Sequence, residues 1–564
     1  MACRNVGEQA EAGGASIPEA RLLHVCVMLD LDQLRKKGRF SVHRGSPRLA
    51  LVHHGFKVTQ MQAAERRQAS FSPRYPALGL LNVARAARVA FERGLIRHAP
   101  EFRYFDEDDY EGDESLATAI DSWLGPAPAR FVLVGLYSLA FEKTANFLTR
   151  IDPTDHCIVV GGAHPTVAPD IGFAHIVVRG EGGEAIQHIL GHLLEVDFGQ
   201  APEARGICYQ SGGQVTMGKT VFDRSLANTP SPAFAYDLLP SSGTVSMRER
   251  WWKAVGKSQQ LYICTQSCRA RCTFCSTYMI HGRFVSRPVH LIAQDLAEVV
   301  NRGHDAIQFH DDDLLQHEEL EALLDLLRSL GIQWTCNARS EVITDDLALR
   351  MAASGCRKVF LGIESLDQRT LDYYRKGTTV QMNQRAVRAL DAAGIGVVCG
   401  YIIGAPHDTV ASLLDDLDRV LALPVYFLAV AILTPDIGTV EFHRAKRRFP
   451  ILGQLGDGAS NQNIRPRPDL FGSSAPFGLP TVCETVTKDE LNELYALFNA
   501  EFFARTSSME RIVHHTPPAR LEEARAWCAL HLTRARELAA TATIPAVRER
   551  ARALLERGTM NDGV

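Results

Sequence analysis

The chain has 564 residues, of which 46% are hydrophobic and 22% charged, and its net charge is −4 with a pI near 6.6. This length allows several domains with large cores, and the charge gives no basic excess for nucleic acid or an anionic membrane. No apolar run reaches the roughly 20 residues that cross a bilayer, and residues 1–18 lack the apolar stretch of a signal peptide. We therefore expect a cytoplasmic protein without nucleic-acid or membrane partners.

After an N-terminal extension (residues 1–45), residues 46–195 alternate between short apolar segments and amphipathic ones. The pattern predicts strands at 48–53, 102–105, 131–136, 157–160 and 175–178, with helices such as 77–92 and 141–151 between them. Five such units predict an α/β domain with a parallel, doubly wound, Rossmann-like sheet. Its ligand crevice is expected beyond the carboxyl ends of the strands.

The next segment, residues 196–256, indicates a β-rich extension and linker, and residues 257–440 form a second alternating array. Its strands are predicted at 260–264, 306–309, 332–336, 358–361, 396–403 and 426–433. Six βα units are typical of a partial TIM-type barrel, whose active site lies at the carboxyl ends of its strands. Residues 441–564 are predicted to form a long loop, over about 451–480, and a helical domain from Lys488 onwards.

Four of the thirteen cysteines lie within twelve residues, directly after the first strand of the second array. Cys268, Cys272 and Cys275 have the spacing C-x3-C-x2-C, which can ligate three irons of a 4Fe–4S cluster and leave the fourth open. A zinc site is the alternative, with Cys264 or His281 as a fourth ligand. The position at the carboxyl end of a barrel strand favours the cluster.

This loop resembles that of the radical S-adenosylmethionine (radical SAM) superfamily, which has an aromatic residue, here Phe274, just before the last cysteine. Later strand ends are similar to the superfamily as well, at 309–313, 334–339, 362–365, 400–406 and 434–439. Singly, such segments could be helix caps or turns. Together and in order, they imply a radical SAM barrel.

The resemblance implies that a cluster-bound S-adenosylmethionine (SAM) is cleaved by one electron to a 5′-deoxyadenosyl radical, with flavodoxin or ferredoxin as electron donor. It also implies a set of residues that bind these cofactors: Phe274, Asp312, Arg339, Glu364, Ser365, Gly400 and Gly404. Carboxylates suit the ammonium and hydroxyl groups of SAM, and an arginine suits its carboxylate.

The strand ends of the first domain are rich in glycine, which allows a large ligand to approach the backbone closely. A flavodoxin-like regulatory or nucleotide-binding domain is one interpretation. The segments also resemble the cobalamin-binding domain of cobalamin-dependent radical SAM methyltransferases. That resemblance implies cobalamin contacts at Ser138, Leu139, Gly161, Gly162, Gly180, Glu181 and Gly182.

The first strand is not followed by the D-x-H-x-x-G pattern of domains that supply a histidine to cobalt, although His53 and His54 lie there. Cobalamin is therefore expected to bind without a protein histidine as its lower ligand. The segment 72–79 resembles the family's Pro-Leu-Gly segment and would place Arg74 or Tyr75 near the lower face of the corrin.

The resemblance thus implies a methyltransferase that moves a methyl group from SAM through methylcobalamin to a carbon or phosphorus centre. The substrate would be a small molecule or an amino acid, in natural-product (antibiotic) biosynthesis. Arg74 and Tyr401 are predicted as catalytic residues, below the corrin and beside the substrate respectively. Three alternatives stay open: methyl transfer to an sp² carbon without a substrate radical, the same cofactors used for ring contraction or oxidative cyclisation, and a non-enzymatic cobalamin sensor.

Overall fold

The chain folds into two α/β units followed by a set of helices. The computed structural model describes residues 28–36, 45–54, 77–136, 141–169, 171–193, 206–222, 225–227, 229, 231–239, 251–435, 438–448 and 482–558. The predicted loop at 451–480 lies outside these residues, as do Arg74, Ser138 and Leu139.

The first unit is built on a seven-stranded sheet. Its strands are β1 (Arg48–His53), β2 (Glu101–Asp106), β3 (Arg130–Gly135), β4 (Cys157–Gly161), β5 (Ile176–Val178), β6 (Ile207–Ser211) and β7 (Gln214–Met217). They lie in the order β2-β1-β3-β4-β5-β6-β7, and the first five are parallel. This order places a topological switch point, where ligands bind in such sheets, between β1 and β3.

The antiparallel strands β6 and β7 fall in the segment predicted as extension and linker, and they extend the first sheet. Helices Leu31–Lys36, Leu78–Glu92, Asp113–Leu124, Phe141–Leu148, Ala163–Val167 and Gly182–His188 accompany this unit. Alternate residues of β1 enter two cores: Leu49 and Leu51 pack on the side of Leu78–Glu92, and Ala50 and Val52 on the other side. Because side chains alternate along a strand, this pattern means that helices cover both faces, as predicted.

The second unit is an open barrel of six parallel strands in the order β15-β14-β13-β12-β11-β8. In chain order its strands are β8 (Gln259–Tyr262), β9 (Thr265–Gln266), β10 (Val285–Ser286), β11 (Ala306–Phe309), β12 (Gln333–Arg339), β13 (Cys356–Glu364), β14 (Gly396–Ile403) and β15 (Phe427–Ile432). Strands β9 and β10 form a separate antiparallel pair. The helices are Thr277–His281, Val289–Asn301, Leu320–Leu330, Asp345–Ala353, Gln368–Tyr373, Val380–Ala392, Val410–Leu421 and Val440–Arg448.

Within the part of the chain that the structure describes, four helices follow the barrel: Lys488–Phe503, Thr506–His515, Leu521–Thr541 and Pro545–Gly558. The first begins with a capping box between Thr487 and Glu490, which satisfies backbone N–H groups that the helix itself leaves unpaired. It packs on the barrel, where the ring centroid of Phe503 lies 5.1 Å from that of Phe427. Among the described residues, every helix is too short or too polar to cross a bilayer.

Candidate functional site

The loop that carries the clustered cysteines is anchored where β8 ends. Asp311, one of the residues after β11, accepts hydrogen bonds from the backbone N–H of Cys264 (3.0 Å) and from the Thr265 hydroxyl (2.7 Å). Burial raises the pKa of the Asp311 carboxyl to about 6. Asp311 therefore ties the first two barrel strands together and starts the loop through its Oδ1, whereas its buried Oδ2 has no hydrogen-bond partner among the described residues.

Cys268, Cys272 and Cys275 line one cavity of about 270 Å³, whereas Cys264 is buried away from it. N–H groups point at two of the sulfurs: Ala270 N lies 3.4 Å from Cys268 Sγ, and Arg339 Nη1 lies 3.4 Å from Cys272 Sγ. Such donors stabilise sulfur that carries negative charge.

The donor set fits a cluster better than a zinc ion. Within the described residues, no three His, Cys, Asp or Glu side chains are grouped so that they could hold one metal ion. A closed zinc site needs its ligands around a single centre, whereas each thiolate of a cubane bonds a different iron. Burial raises the pKa of the Cys268 thiol to about 11, so a bound cation is needed to keep it as thiolate.

The rest of the cavity presents charges of both signs. Asp312 and Glu364 contribute carboxylates, and Arg339 and Lys376 contribute cations. Phe274 also lines the cavity, and its ring packs against Tyr374 at a centroid distance of 5.2 Å. This mixture fits SAM, which combines an ammonium, a carboxylate, a sulfonium and a ribose diol with an apolar base.

The end of β13 is shaped to aim Glu364 into the cavity. A register shift against β14 lies between Gly362 and Glu364, and Glu364 has φ +62°, a left-handed conformation that is rare for a residue with a side chain. Its Oε1 accepts a hydrogen bond from Lys376 Nζ at 2.9 Å. A Cβ at Gly362 would lie only 2.5 Å from Glu364 Oε1 and 2.7 Å from Lys376 Nζ. Glycine is therefore needed at position 362 to keep this ion pair in place.

At the switch point of the first sheet, glycines end β3 and β4. A Cβ at Gly135 would have no atom within 4 Å, and one at Gly161 would make only an ordinary contact with Val178. Gly162 has φ +106° and is exposed at the start of helix Ala163–Val167. A Cβ at Gly162 would lie 3.1 Å from the backbone N and O of Leu136, so this glycine also allows a close approach of the chain to itself. The backbone is open to a large ligand at Gly135 and Gly161, and the residues fit cobalamin there.

The histidines at the end of β1 are engaged by protein groups. In His54 both ring nitrogens have partners, Nε2 with Asp113 (3.0 Å) and Nδ1 with Thr144 (3.4 Å). His53 Nδ1 lies 3.3 Å from Asp106. These contacts support the prediction that neither side chain is the lower ligand of cobalt.

The two units meet close to the cysteine loop. Helix Thr277–His281, which begins two residues after Cys275, contacts helix Ala163–Val167 of the first unit. His281 Nδ1 lies 3.7 Å from Glu181 Oε1. Burial lowers the pKa of His281, but the carboxylates of Glu181 and Asp312 outweigh it, and the net pKa is above the usual value. The contact between His281 and Glu181 thus links the first unit to the helix that forms part of the cavity wall.

Comparison with known families now assigns the second unit. Residues 262–420 match the model of the Radical SAM superfamily. The chain contains a radical SAM domain.

An uncharacterized methyltransferase of Pyrococcus horikoshii is 26% identical over 293 residues, 50% of this chain and 61% of that protein. The anaerobic magnesium-protoporphyrin IX monomethyl ester cyclase of Rubrivivax gelatinosus is 25% identical over 291 residues, 48% of this chain and 50% of that protein. The chain thus matches only half to about three-fifths of the length of these relatives.

Among solved structures, the radical SAM methyltransferase TsrM from Kitasatospora setae, with cobalamin and a 4Fe–4S cluster bound, matches with a TM-score of 0.58. The identity is 14%, and the match covers 91% of this chain and 99% of TsrM. This likeness confirms the predicted fold of a doubly wound unit, a partial barrel and C-terminal helices. The cluster and cobalamin that we predicted as cofactors are both present in TsrM.

Within the radical SAM domain, several residues predicted to bind SAM do line the cavity: Phe274, Asp312, Arg339 and Glu364. Three others do not. The Ser365 hydroxyl accepts a hydrogen bond from the backbone N–H of Asp367. A Cβ at Gly400 would lie 2.9 Å from the Phe360 ring, and Gly404, with φ +92°, packs against Leu491 of the C-terminal helices. In this structure these two glycines make room for protein side chains.

The structure does not support a catalytic role for Tyr401. Its side chain is buried, and its hydroxyl donates to Asp416 at 2.6 Å and accepts from the Leu366 backbone N–H at 3.0 Å. Because side chains alternate along β14, this position points out of the barrel towards helix Val410–Leu421. Tyr401 is therefore a core residue that fastens a helix to the barrel.

In the first unit, two of the predicted cobalamin glycines have another explanation. A Cβ at Gly180 (φ +85°) would lie 1.9 Å from the carbonyl oxygen of Val221, and one at Gly182 would lie 2.7 Å from Val83. These close approaches are made by the chain itself, which corrects the inference from glycine content alone. Glu181 lies between them and faces His281 instead. Arg74, Ser138 and Leu139 lie outside the described residues.

Sequence analysis missed Lys376, Asn337 and Gln316. Lys376 and Asn337 line the cavity, and the amide of Gln316 lies 3.9 Å from Cys268 Sγ. Asn337 stands within the 334–339 segment that resembled the superfamily, so its position near a strand end was a usable signal. Lys376 follows a short helix in a loop, and only the three-dimensional pairing with Glu364 reveals it.

Proposed function

We propose that this chain is a cobalamin-dependent radical SAM methyltransferase. One observation carries the proposal: three cysteines, two carboxylates and two cations converge on one cavity, beside a sheet with its own glycine-lined switch point. A small-molecule or amino-acid substrate would lie between the two units, and a one-electron donor protein would supply the electron. The methylated atom, carbon or phosphorus, is set by that substrate.

In this proposal Cys268, Cys272 and Cys275 hold a 4Fe–4S cluster, which supplies one electron for reductive cleavage of SAM. Lys376 or Arg339 binds the carboxylate of SAM, and Glu364 or Asp312 binds its ammonium or ribose hydroxyls. The Lys376–Glu364 pair holds both side chains in place before the ligand arrives, which lowers the entropic cost of binding.

The first unit would hold cobalamin against Gly135, Gly161 and Gly162, and the cofactor would serve as a methyl carrier. We further propose that Ser138, Leu139 and Arg74, which lie outside the described residues, contact the corrin. His281 and Glu181 would set the separation of the two cofactor sites, because they join the units directly beside the cavity.

Oxidative cyclisation or ring contraction with the same cofactors is the second candidate. The similarity to the Rubrivivax gelatinosus cyclase, which is 25% identical over 291 residues, supports this second candidate. Our further alternative, a cobalamin sensor without catalysis, gains no support from a cavity with so many polar groups.

The test is anaerobic reconstitution of the full chain with iron, sulfide and cobalamin, followed by assay with SAM and dithionite. A methyltransferase that uses a substrate radical releases S-adenosylhomocysteine together with 5′-deoxyadenosine, and one that transfers the methyl without a radical releases S-adenosylhomocysteine alone. A cyclase releases 5′-deoxyadenosine without matching S-adenosylhomocysteine, and a sensor releases neither. Candidate amino-acid substrates should raise both products above the substrate-free level. Absence of 5′-deoxyadenosine from protein with a full cluster would reject radical chemistry.

A matched pair of cysteine variants tests the cluster assignment. Cys272→Ala should lose most of the iron and the broad visible absorption of the cluster, because it removes one of three ligands. Cys264→Ala removes a buried thiol of the same loop that lies outside the cavity, so it should retain both. Equal iron loss in the two variants would contradict the assignment and favour a site that includes Cys264.

A further inference from the structure

The cysteine loop carries two arginines between its first two cysteines. Arg269 and Arg271 are both exposed, and Arg283 is exposed on the segment that returns beside the loop. Strands β9 and β10 pair Gln266 with Val285, which brings residues 283–284 next to the start of the loop. Three positive charges are therefore presented on one surface, which we call the arginine surface.

Stacking and hydrogen bonds hold two of these arginines in place. The Arg269 guanidinium lies 4.5 Å from the ring centroid of Phe284, and that of Arg271 lies 4.9 Å from Tyr278. Arg271 Nη1 also donates to the carbonyl of Cys268 at 2.9 Å. A cation held over an aromatic ring loses little further freedom when a partner binds, so these side chains are pre-organised.

The acidic partner of Arg269 is itself exposed. Arg269 Nη2 lies 3.6 Å from Glu318 Oε1, but the two side chains are 55% and 64% exposed, so this pair is weak and easily exchanged. The whole chain has a net charge of −4. An acidic protein is therefore not drawn to the molecule as a whole, and a local positive surface would decide where it docks.

We propose that the arginine surface docks a small acidic protein that carries one electron. The proposal rests on the proposed function and names the partner surface for its reduction step. Arg269 directly follows the cluster ligand Cys268, and neighbouring Cα atoms are about 3.8 Å apart, so a docked carrier lies against the cluster loop. One electron leaves the carrier, which is oxidised, and passes through the cluster site to SAM. The sulfonium C–S bond then breaks to give methionine and the 5′-deoxyadenosyl radical.

The test compares two reductants on the reconstituted full chain. Flavodoxin with its NADPH-dependent reductase is the protein donor, and dithionite is the small-molecule donor that needs no docking surface. The variant is Arg269→Glu/Arg271→Glu, with Arg269→Lys/Arg271→Lys as the charge-conserving form. The matched control is Arg385→Glu/Arg388→Glu, two exposed arginines on helix Val380–Ala392, outside the arginine surface.

We expect the Glu variant to slow flavodoxin-driven 5′-deoxyadenosine formation about tenfold or more at low salt, because steering by opposite charges raises association rates by that order. Dithionite-driven formation should stay within about twofold, as should both rates in the control. The Lys variant should keep most of the flavodoxin-driven rate. Salt should slow the wild type with flavodoxin and leave the dithionite rate unchanged.

Other outcomes overturn the proposal. If flavodoxin-driven turnover is unaffected in the Glu variant, the carrier docks elsewhere, while dithionite-driven turnover would leave the proposed function intact. If both rates fall together, or iron content falls, the arginines act on the loop and not on the carrier. Wild-type protein that forms neither 5′-deoxyadenosine nor S-adenosylhomocysteine even with dithionite would instead reject the proposed function.

Discussion

Replacing Tyr401 with phenylalanine separates a structural role from a catalytic one. The hydroxyl bridges Asp416 (2.6 Å) and the backbone N–H of Leu366 (3.0 Å), and Tyr401 and Asp416 are only 1% and 7% exposed. Its removal leaves two buried polar groups without this partner, at about 1–3 kcal/mol each. Burial raises the pKa of Asp416 to about 6, so the carboxyl can escape part of the cost by taking up a proton. The Tyr401 hydroxyl lowers the Asp416 pKa, so in Tyr401→Phe this pKa rises further, and proton uptake at pH 7 costs less than the roughly 1.4 kcal/mol of one pH unit.

The expected loss of stability for Tyr401→Phe is therefore about 2–4 kcal/mol. For a domain of this size that corresponds to a fall in melting temperature of about 5–12 °C, measured by thermal denaturation of anaerobic protein. Production of 5′-deoxyadenosine per folded molecule, assayed well below the transition, should stay within about twofold of wild type.

A double-mutant cycle with Asp416→Asn supplies the control. Because the two side chains contact each other, the double variant should lose less stability than the sum of the single variants. The reasoning is refuted if Tyr401→Phe melts like the wild type while radical formation is abolished. That result would place the hydroxyl at the reacting groups, as first predicted from sequence.

Three further results are expected. Gly180→Ala should lower the melting temperature strongly, because Gly180 has φ +85° and an added Cβ would lie 1.9 Å from a carbonyl oxygen. Gly161→Ala should instead keep the fold and weaken cobalamin binding, measured as cobalt bound per protein molecule. Burial raises the Asp416 pKa from 3.8 to about 6, so folding takes up a proton and the free energy of unfolding falls as the pH rises between these values. The melting temperature should therefore be lower at about pH 6.5 than at about pH 4, and this difference should be smaller in Asp416→Asn. Glu181→Gln should lower the His281 pKa, because it removes a carboxylate that opposes the effect of burial, and an NMR titration would detect this.

The elements of the fold were predictable because each has its own periodic signal. All five strands predicted for the first domain and all six for the barrel are present, and β1 has the predicted bounds, Arg48–His53. Parallel strands covered on both faces are short, apolar and β-branched, and helices between them repeat at 3.6 residues. The hairpin β6–β7 lies in the segment predicted as a β-rich extension and linker, but two short strands carry no information about which sheet they join.

The site was predictable only where residues with a distinctive chemistry lie close together in the sequence. Three cysteines in one loop must lie together, so the sequence alone brings Cys268, Cys272 and Cys275 to one place. Glycine is different, since the same residue serves a ligand, a turn or a close chain crossing. Gly180 meets Val221, and that contact joins residues about forty positions apart, which no local pattern indicates.

Side-chain direction explains the error at Tyr401 and the omission of Lys376. A residue in a motif at a strand end points into the barrel or away from it according to its register, and a bulge in the neighbouring strand changes which position faces the cavity. The bulge before Glu364 turns this carboxylate inwards, and Lys376 then becomes necessary as its buried partner. Neither bulge nor pairing is visible in a single sequence.

One general rule about where parallel sheets bind ligands applies to both units. In folds of both kinds, ligands bind at the carboxyl ends of the parallel strands. Two cofactors, one in each unit, can therefore react only if the carboxyl edges of the two sheets face one another. Helix Ala163–Val167 starts at the glycine edge of β4, helix Thr277–His281 starts just after the last cysteine, and the two are in contact. Each helix is five residues long, about 7.5 Å at the usual rise, so there is little chain between the two candidate cofactor edges. The Glu181–His281 pair lies at this junction, where the two units contact each other beside the cysteine loop.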